Sequence, residues 1–144
     1  MHVRTQIRAA IRDKLSAVAG LQDRITFDLP AVADEEELPF AHLWLGNENI
    51  EAATLAGKRL RSLEIFVDLI GRDAQSNAEP IDDLCERVEN AMDTGIQLDA
   101  LTLSFVLAAL TVEYDNSGAQ RLVRYRLQYQ TEYQTDPGAA GVAI

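Results

Sequence analysis

The sequence predicts an α+β domain in which two helices cover one face of a largely antiparallel sheet. Two strand-length runs near the carboxyl terminus, 105–114 and 119–133, are separated by the turn residues Asp115 to Gly118. Two further segments, about 3–18 and 78–93, place apolar residues at helical spacing. The expected order is therefore helix, two short strands, one long strand, helix and a long hairpin.

The first half of the chain supplies the first helix and the short strands. A β-like segment at 24–27 follows the helix, and Phe40 to Leu45 forms a second short strand that Gly46-Asn47 is expected to end. Residues 48–58 are then interpreted as a polar connection. The apolar positions of the first helix are Val3, Ile7, Ala10, Ile11, Leu15 and Val18.

The second half supplies the long strands and the second helix. Residues 59–70 alternate between apolar and polar side chains, as a half-buried strand does. The last run has two different faces, because Val123 to Tyr133 is apolar or aromatic at most alternate positions and polar at the positions between them. A strand of about 13 residues is roughly twice the usual length. We interpret this two-sided ribbon as a surface that meets a neighbouring molecule.

The length of 144 residues fits one domain with one core. We assign that domain to residues 1–137. Residues 138–144 are small, contain glycine and lack periodicity, so we expect a flexible C-terminal tail.

The overall charge argues against nucleic acid as a specific partner. The chain has 23 acidic and 13 basic side chains and a formal net charge of −10, which repels phosphates. The single Cys85 cannot form an internal disulfide, and no apolar signal core follows Met1, so we expect folding in a reducing cytosol. The longest nearly apolar stretch, 105–110, is too short to cross a bilayer, and no membrane partner is expected.

Residues that carry chemistry are sparse and isolated. His2 and His42 have no neighbouring nucleophile or ligand in the sequence, and Cys85 lies on the apolar stripe of the second helix, where it acts as a small hydrophobe. The consecutive carboxylates at 34–37 lack the ligand spacing of a calcium loop. We therefore expect no catalytic residue, no metal and no cofactor, and a protein that is not an enzyme.

Charged and amide side chains are the remaining candidates for contacts between molecules. Basic residues begin the 59–70 strand and recur on the last strand, whereas acidic residues concentrate at 34–37 and on the second helix. If these groups lie on different sides, copies can dock head to tail and close a ring. Alternatively, they form ordinary solvated faces that contribute little. The candidate interface residues are Arg59, Arg61, Arg124, Arg126, Gln128, Gln130, Glu35 and Glu36.

The order of elements, together with five segments, resembles a known family. The segments are Met1 to Arg8, Leu38-Pro39-Phe40, Arg59 to Ile70, Leu84 to Glu89 and Tyr125 to Tyr129. Through them, residues 1–137 resemble the tail terminator, or minor tail protein U-like, proteins of long-tailed bacteriophages and prophages.

The resemblance implies a subunit that forms a ring, typically a hexamer, on the end of a completed tail tube. Such a ring stops polymerisation of the tube and presents a surface for joining the head. The implied partners are further copies of the chain, the tail tube protein and head–tail connector proteins, in the virion tail and, during assembly, in the host bacterial cytoplasm.

Three alternatives stay open at this point. A neck or head–tail connector protein has the same size and architecture. A small cytosolic ligand-binding domain or enzyme would need a deep pocket with convergent polar groups. A prophage remnant could fold without assembling.

Overall fold

The computed structural model describes residues 1–27, 39–72, 79–93, 101–115 and 121–144. Within these ranges the chain forms two helices and five strands, and the predicted α+β class is confirmed. In chain order the elements are α1 (Val3–Ser16), β1 (Ile25–Thr26), β2 (Phe40–Ala52), β3 (Arg59–Arg72), α2 (Glu79–Asp93), β4 (Ser104–Asp115) and β5 (Leu122–Thr135).

The five strands form one sheet in the order β1-β2-β3-β5-β4. β1 pairs with β2 in parallel through two residue pairs, and every other neighbouring pair is antiparallel. Because three antiparallel pairings separate them, β4 runs in the opposite direction to β2. β2 and β4 lie near opposite ends of the sheet and are therefore antiparallel to each other.

Both helices pack on one face of the sheet. The apolar side of β3, with Leu63, Ile65 and Val67, is fully buried and shares a core with the apolar stripes of the two helices. α1 contacts β1 and β2, and α2 contacts β3, while the helices also contact each other. Each fully buried aliphatic side chain contributes about 1.5–3 kcal/mol to folding. The two helices therefore lie side by side over the sheet, with α1 over the β2 end and α2 over β3.

β2 is longer than the sequence predicts. We expected residues 46–47 to end the strand and residues 48–58 to form a connection, but the strand continues to Ala52. The pairing with β3 shifts register across 46–47, so a bulge absorbs these residues and the ladder resumes. Gly46 is needed in this bulge, because a Cβ there would lie 2.7 Å from Cε2 of Phe66.

The two-sided pattern predicted for the last strand is present in the structure. Burial alternates along all 14 residues of β5, with Val123, Leu127 and Tyr133 fully buried on the helix side. The opposite side is partly exposed. The turn residues 116–118 lie outside the described residues.

The C-terminal residues run back along the domain. The amide of Val3 donates to the carbonyl of Ala140 at 3.0 Å, and the amide of Ile144 donates to the carbonyl of Gln134 at 3.0 Å. Ala143 forms an isolated antiparallel bridge with Thr135. These contacts join the tail to α1 and β5, and its mobility stays a prediction.

Candidate assembly surfaces

The face of the sheet opposite the helices, here called the open face, carries an aromatic cluster at its centre. Trp44 and Phe66 occupy paired positions on β2 and β3, and their rings stack with centroids 4.1 Å apart. The guanidinium of Arg126 lies over both rings, 5.2 Å from the Trp44 centroid and 5.7 Å from the Phe66 centroid. A cation and two stacked rings therefore form the middle of this face.

Asp68 holds this cluster together. Its side chain is 2% exposed and accepts hydrogen bonds from Arg126 Nε at 2.8 Å and from Trp44 Nε1 at 3.2 Å. The hydrogen bond to Asp68 raises the pKa of Arg126, which stays charged. Arg126 is thus positioned by an ion pair within its own subunit, with 30% of its side chain exposed.

Arg124, Gln128 and Gln130 lie on the same open face as Arg126. Arg124 pairs with Glu113 across the β4–β5 ladder, and both amide side chains are half-buried. The structure therefore brings four of the predicted interface residues together on one surface of β5. Their role in subunit contacts stays a prediction.

Arg61 lies on the other face, inside the subunit. It shares the helix side of β3 with Leu63 and is 6% exposed. Its guanidinium contacts Glu48 Oε1 at 2.9 Å and donates to Thr135 Oγ1 at 3.0 Å, while Tyr133 donates to the same Glu48 oxygen at 2.8 Å. Arg61 is thus held inside its own subunit by Glu48 and Thr135, and we do not carry it forward as a contact residue.

Of the three remaining predicted interface residues, only Arg59 lies in the part of the chain that the structure describes. Arg59 is exposed at the beginning of β3. Glu35 and Glu36 lie outside the described residues.

The outer edge of β4 exposes an apolar strip. Among the described strands, β4 pairs only with β5, so its other edge faces outward. Leu110, Val112 and Tyr114 lie opposite buried β5 residues on the helix side, yet are 46%, 41% and 49% exposed. We call these three residues the β4 strip. An open strand edge with apolar side chains is a template for strand pairing.

Within the described ranges, the outer edge of β2 is also open over most of its length. β1 covers it only at Ala41 and His42, and no other described strand pairs with this side. A cleft of about 420 Å³ lies beside the edge, between β2 and α1. We call it the β2 cleft; its lining residues are His2, Arg4, Thr5, Arg8, Phe27, Leu43, Trp44 and Leu45.

The helix layer carries opposite charges at its two sides. α1 contains four basic residues and one acidic residue, whereas α2 contains six acidic residues and one basic residue. Arg8 and Arg12 lie over the Phe27 ring at the β2 side. Asp82 of α2 accepts a hydrogen bond from Tyr125, the residue opposite Val112 of the β4 strip. The basic side therefore adjoins the β2 edge, and Asp82 on the acidic side contacts β5, the neighbour of β4.

His2 and Cys85, two isolated residues that could carry chemistry, contribute to the structure of the subunit. His2 accepts a hydrogen bond from the amide of Arg4 at 3.0 Å and caps α1. Cys85 is buried, and burial, with Glu89 and Asp82 nearby, raises the pKa of its thiol to about 12. Within the described ranges, no three His, Cys, Asp or Glu side chains lie together as metal ligands, and no helix is long and apolar enough to cross a membrane.

The β4 strip and the location of the basic surface were not predicted from the sequence. The exposure of Leu110 and Val112 depends on where the helices end over the sheet, and alternation alone gives no sign of it. The basic surface had a signal, since Arg4, Arg8 and Arg12 repeat at intervals of four residues in α1. The acidic character of α2, by contrast, was read directly from the sequence.

Comparison with solved structures shows a likeness of fold. No protein-family model and no curated protein matches the chain. Among solved structures, a chain in the virion of a native gene transfer agent particle is similar, with a TM-score of 0.52 and 13% sequence identity. The match covers 89% of this chain and 94% of that chain. The likeness extends over nearly the whole length of both chains and concerns their fold.

Proposed function

We propose that this protein is a structural component of a phage-like particle and acts as a tail terminator. In this role it assembles as a ring, with six copies expected, on the end of a completed tail tube. The ring stops addition of further tube protein and provides the surface to which the head is joined. The role requires matching surfaces and no chemical reaction.

The observation that carries the proposal is the shared fold with a virion chain across nearly the full length of both. The resemblance of residues 1–137 to tail terminators points to the same class of particle. The open edges of β2 and β4 support the assembly part of the proposal, because a monomer that exposes them invites pairing.

The surfaces suit an assembling subunit better than an enzyme. The β2 cleft opens along a strand edge, and the arginines that line it are Arg4 and Arg8. Arg4 Nε contacts Glu48 Oε2 at 3.3 Å, and Arg8 lies over the Phe27 ring. Both arginines are thus engaged by groups of their own subunit. This arrangement fits a surface for protein contacts better than a pocket for a small substrate.

The test uses purified protein and self-assembled tail tubes of a long-tailed phage. We expect density at one end of the tubes in electron micrographs, and an arrest of tube growth when the protein is added during polymerisation. Tubes that bind the protein along their sides, or grow at the same rate with it, would count against termination.

A neck or head–tail connector role is the second candidate, since it shares the size and fold. It predicts binding to the portal-side adaptor of the head and no effect on tube growth. A binding assay with purified heads, run beside the tube-growth assay, separates the two roles.

A further inference from the structure

The sheet has two open edges at opposite ends, and their directions are compatible. β4 runs opposite to β2, so a second copy placed beside the first in the same orientation brings its β2 edge against β4 in antiparallel register. Antiparallel addition satisfies the outward backbone groups of both strands. The sheet would then continue from one subunit to the next with the helices on the same side.

The side chains at the two edges also match. The β4 strip lies on the helix side of the sheet, and so do Leu43 and Leu45, which line the β2 cleft. In a continuous sheet the strip of one copy enters the cleft of the next. Leu110, Val112 and Tyr114 would then pack against Phe27 and the β2 edge.

The charges on the helix layer favour the same arrangement. A continuous sheet brings the acidic α2 side of one copy beside the basic α1 side of the next. Contacts between opposite charges steer the approach and disfavour pairing of two identical edges, because two β4 edges would bring two acidic helices together.

We infer that neighbouring copies of this chain join by adding the β4 edge of one subunit to the β2 edge of the next, with the β4 strip seated in the β2 cleft. This inference rests on the proposed ring and specifies which surfaces form it. The contact is heterologous, so it propagates around a ring and leaves no edge open when the ring closes.

A mixing experiment with two variants tests the inference. The first variant, Leu110→Lys/Val112→Lys, blocks the β4 edge, because lysines on an edge strand oppose pairing. The second, Arg8→Glu/Ile50→Lys, blocks the β2 edge; Ile50 is 52% exposed on that strand. A matched control, Leu103→Lys, changes a leucine that is 49% exposed just before β4.

Mass photometry and analytical ultracentrifugation then report the assembly state of each sample. We expect the wild type and Leu103→Lys to form rings, each blocked variant to remain a 15.9 kDa monomer, and their equimolar mixture to form a dimer. Only a heterologous contact gives this pattern, since each mixed pair keeps one intact β4 edge and one intact β2 edge.

The outcomes separate failure of the interface from failure of the proposed function. Rings formed by either blocked variant, or a mixture that stays monomeric, would overturn the inference while the ring itself stands. A wild type that forms no rings with or without tubes would remove both. If circular dichroism shows that a variant does not fold, the salt response of the wild type tests the inference instead. The dissociation constant of the ring should increase about tenfold or more between 50 and 500 mM NaCl. An unchanged dissociation constant would contradict the contact between the charged sides.

Discussion

Replacing Glu48 with glutamine should destabilise the monomer strongly. The Glu48 side chain is 6% exposed and the Arg61 side chain 8%, and they contact each other at 2.9 Å. Removing one partner of a buried ion pair leaves the other charge without compensation and typically costs 3–5 kcal/mol. We expect about 3 kcal/mol, at the low end of that range, because the amide oxygen can still accept the hydrogen bond from Tyr133.

Urea unfolding followed by Trp44 fluorescence measures this loss, since the chain has one tryptophan. The midpoint should fall while the dependence of the unfolding free energy on urea stays constant. Glu51→Gln is the matched control on the same strand, where Glu51 is exposed, and should change stability by less than about 0.5 kcal/mol.

The double variant Glu48→Gln/Arg61→Met tests whether the unpaired charge of Arg61 causes the loss of stability. Removing the buried cation as well should recover most of the lost stability, because no unpaired charge remains. If Glu48→Gln unfolds at the same urea concentration as Glu51→Gln, the buried pair does not stabilise the monomer. Arg61 would then return as a candidate for contacts between subunits.

Three further predictions concern single groups. The thiol of Cys85 should react with Ellman's reagent at pH 8 only after unfolding, because with a pKa of about 12 roughly 10⁻⁴ of it is ionised; rapid reaction of the folded protein would contradict its burial. Burial raises the pKa values of Tyr129 and Tyr133 in the folded protein. Both tyrosines therefore lose their protons at a lower pH in the unfolded state than in the folded state. The free energy of unfolding should then fall above about pH 10, by up to about 1.4 kcal/mol per pH unit for each tyrosine, and a flat denaturation profile from pH 9 to 11.5 would refute this. Finally, the amide of Ile144 should exchange with deuterium much faster than that of Leu127, and equal protection would show that the tail is held as firmly as β5.

The fold class was predictable because the strongest patterns in the sequence are long. Burial alternates over all 14 residues of β5 and over the first part of β3, and one face must then be buried. β2 was predicted too short because a Gly-Asn pair is typical of a turn, and only the partner strand shows that 46–47 form a bulge.

The assembly surfaces were predictable only in part. The open face of β5 followed from alternation, and Arg126 lies there as expected. Arg61 was grouped with exposed arginines, although its spacing of two residues from Leu63 places it on the buried face. Glu48, its partner, comes after the bulge, so the ion pair could not be read from spacing along the chain.

The most direct test of the account is electron microscopy of the gently purified wild-type protein at several concentrations, with tail tubes present and absent. If the protein forms the proposed terminator ring, we expect closed rings of a single copy number with an open centre, free or seated on tube ends. A protein that remains a monomer under all these conditions would contradict the account.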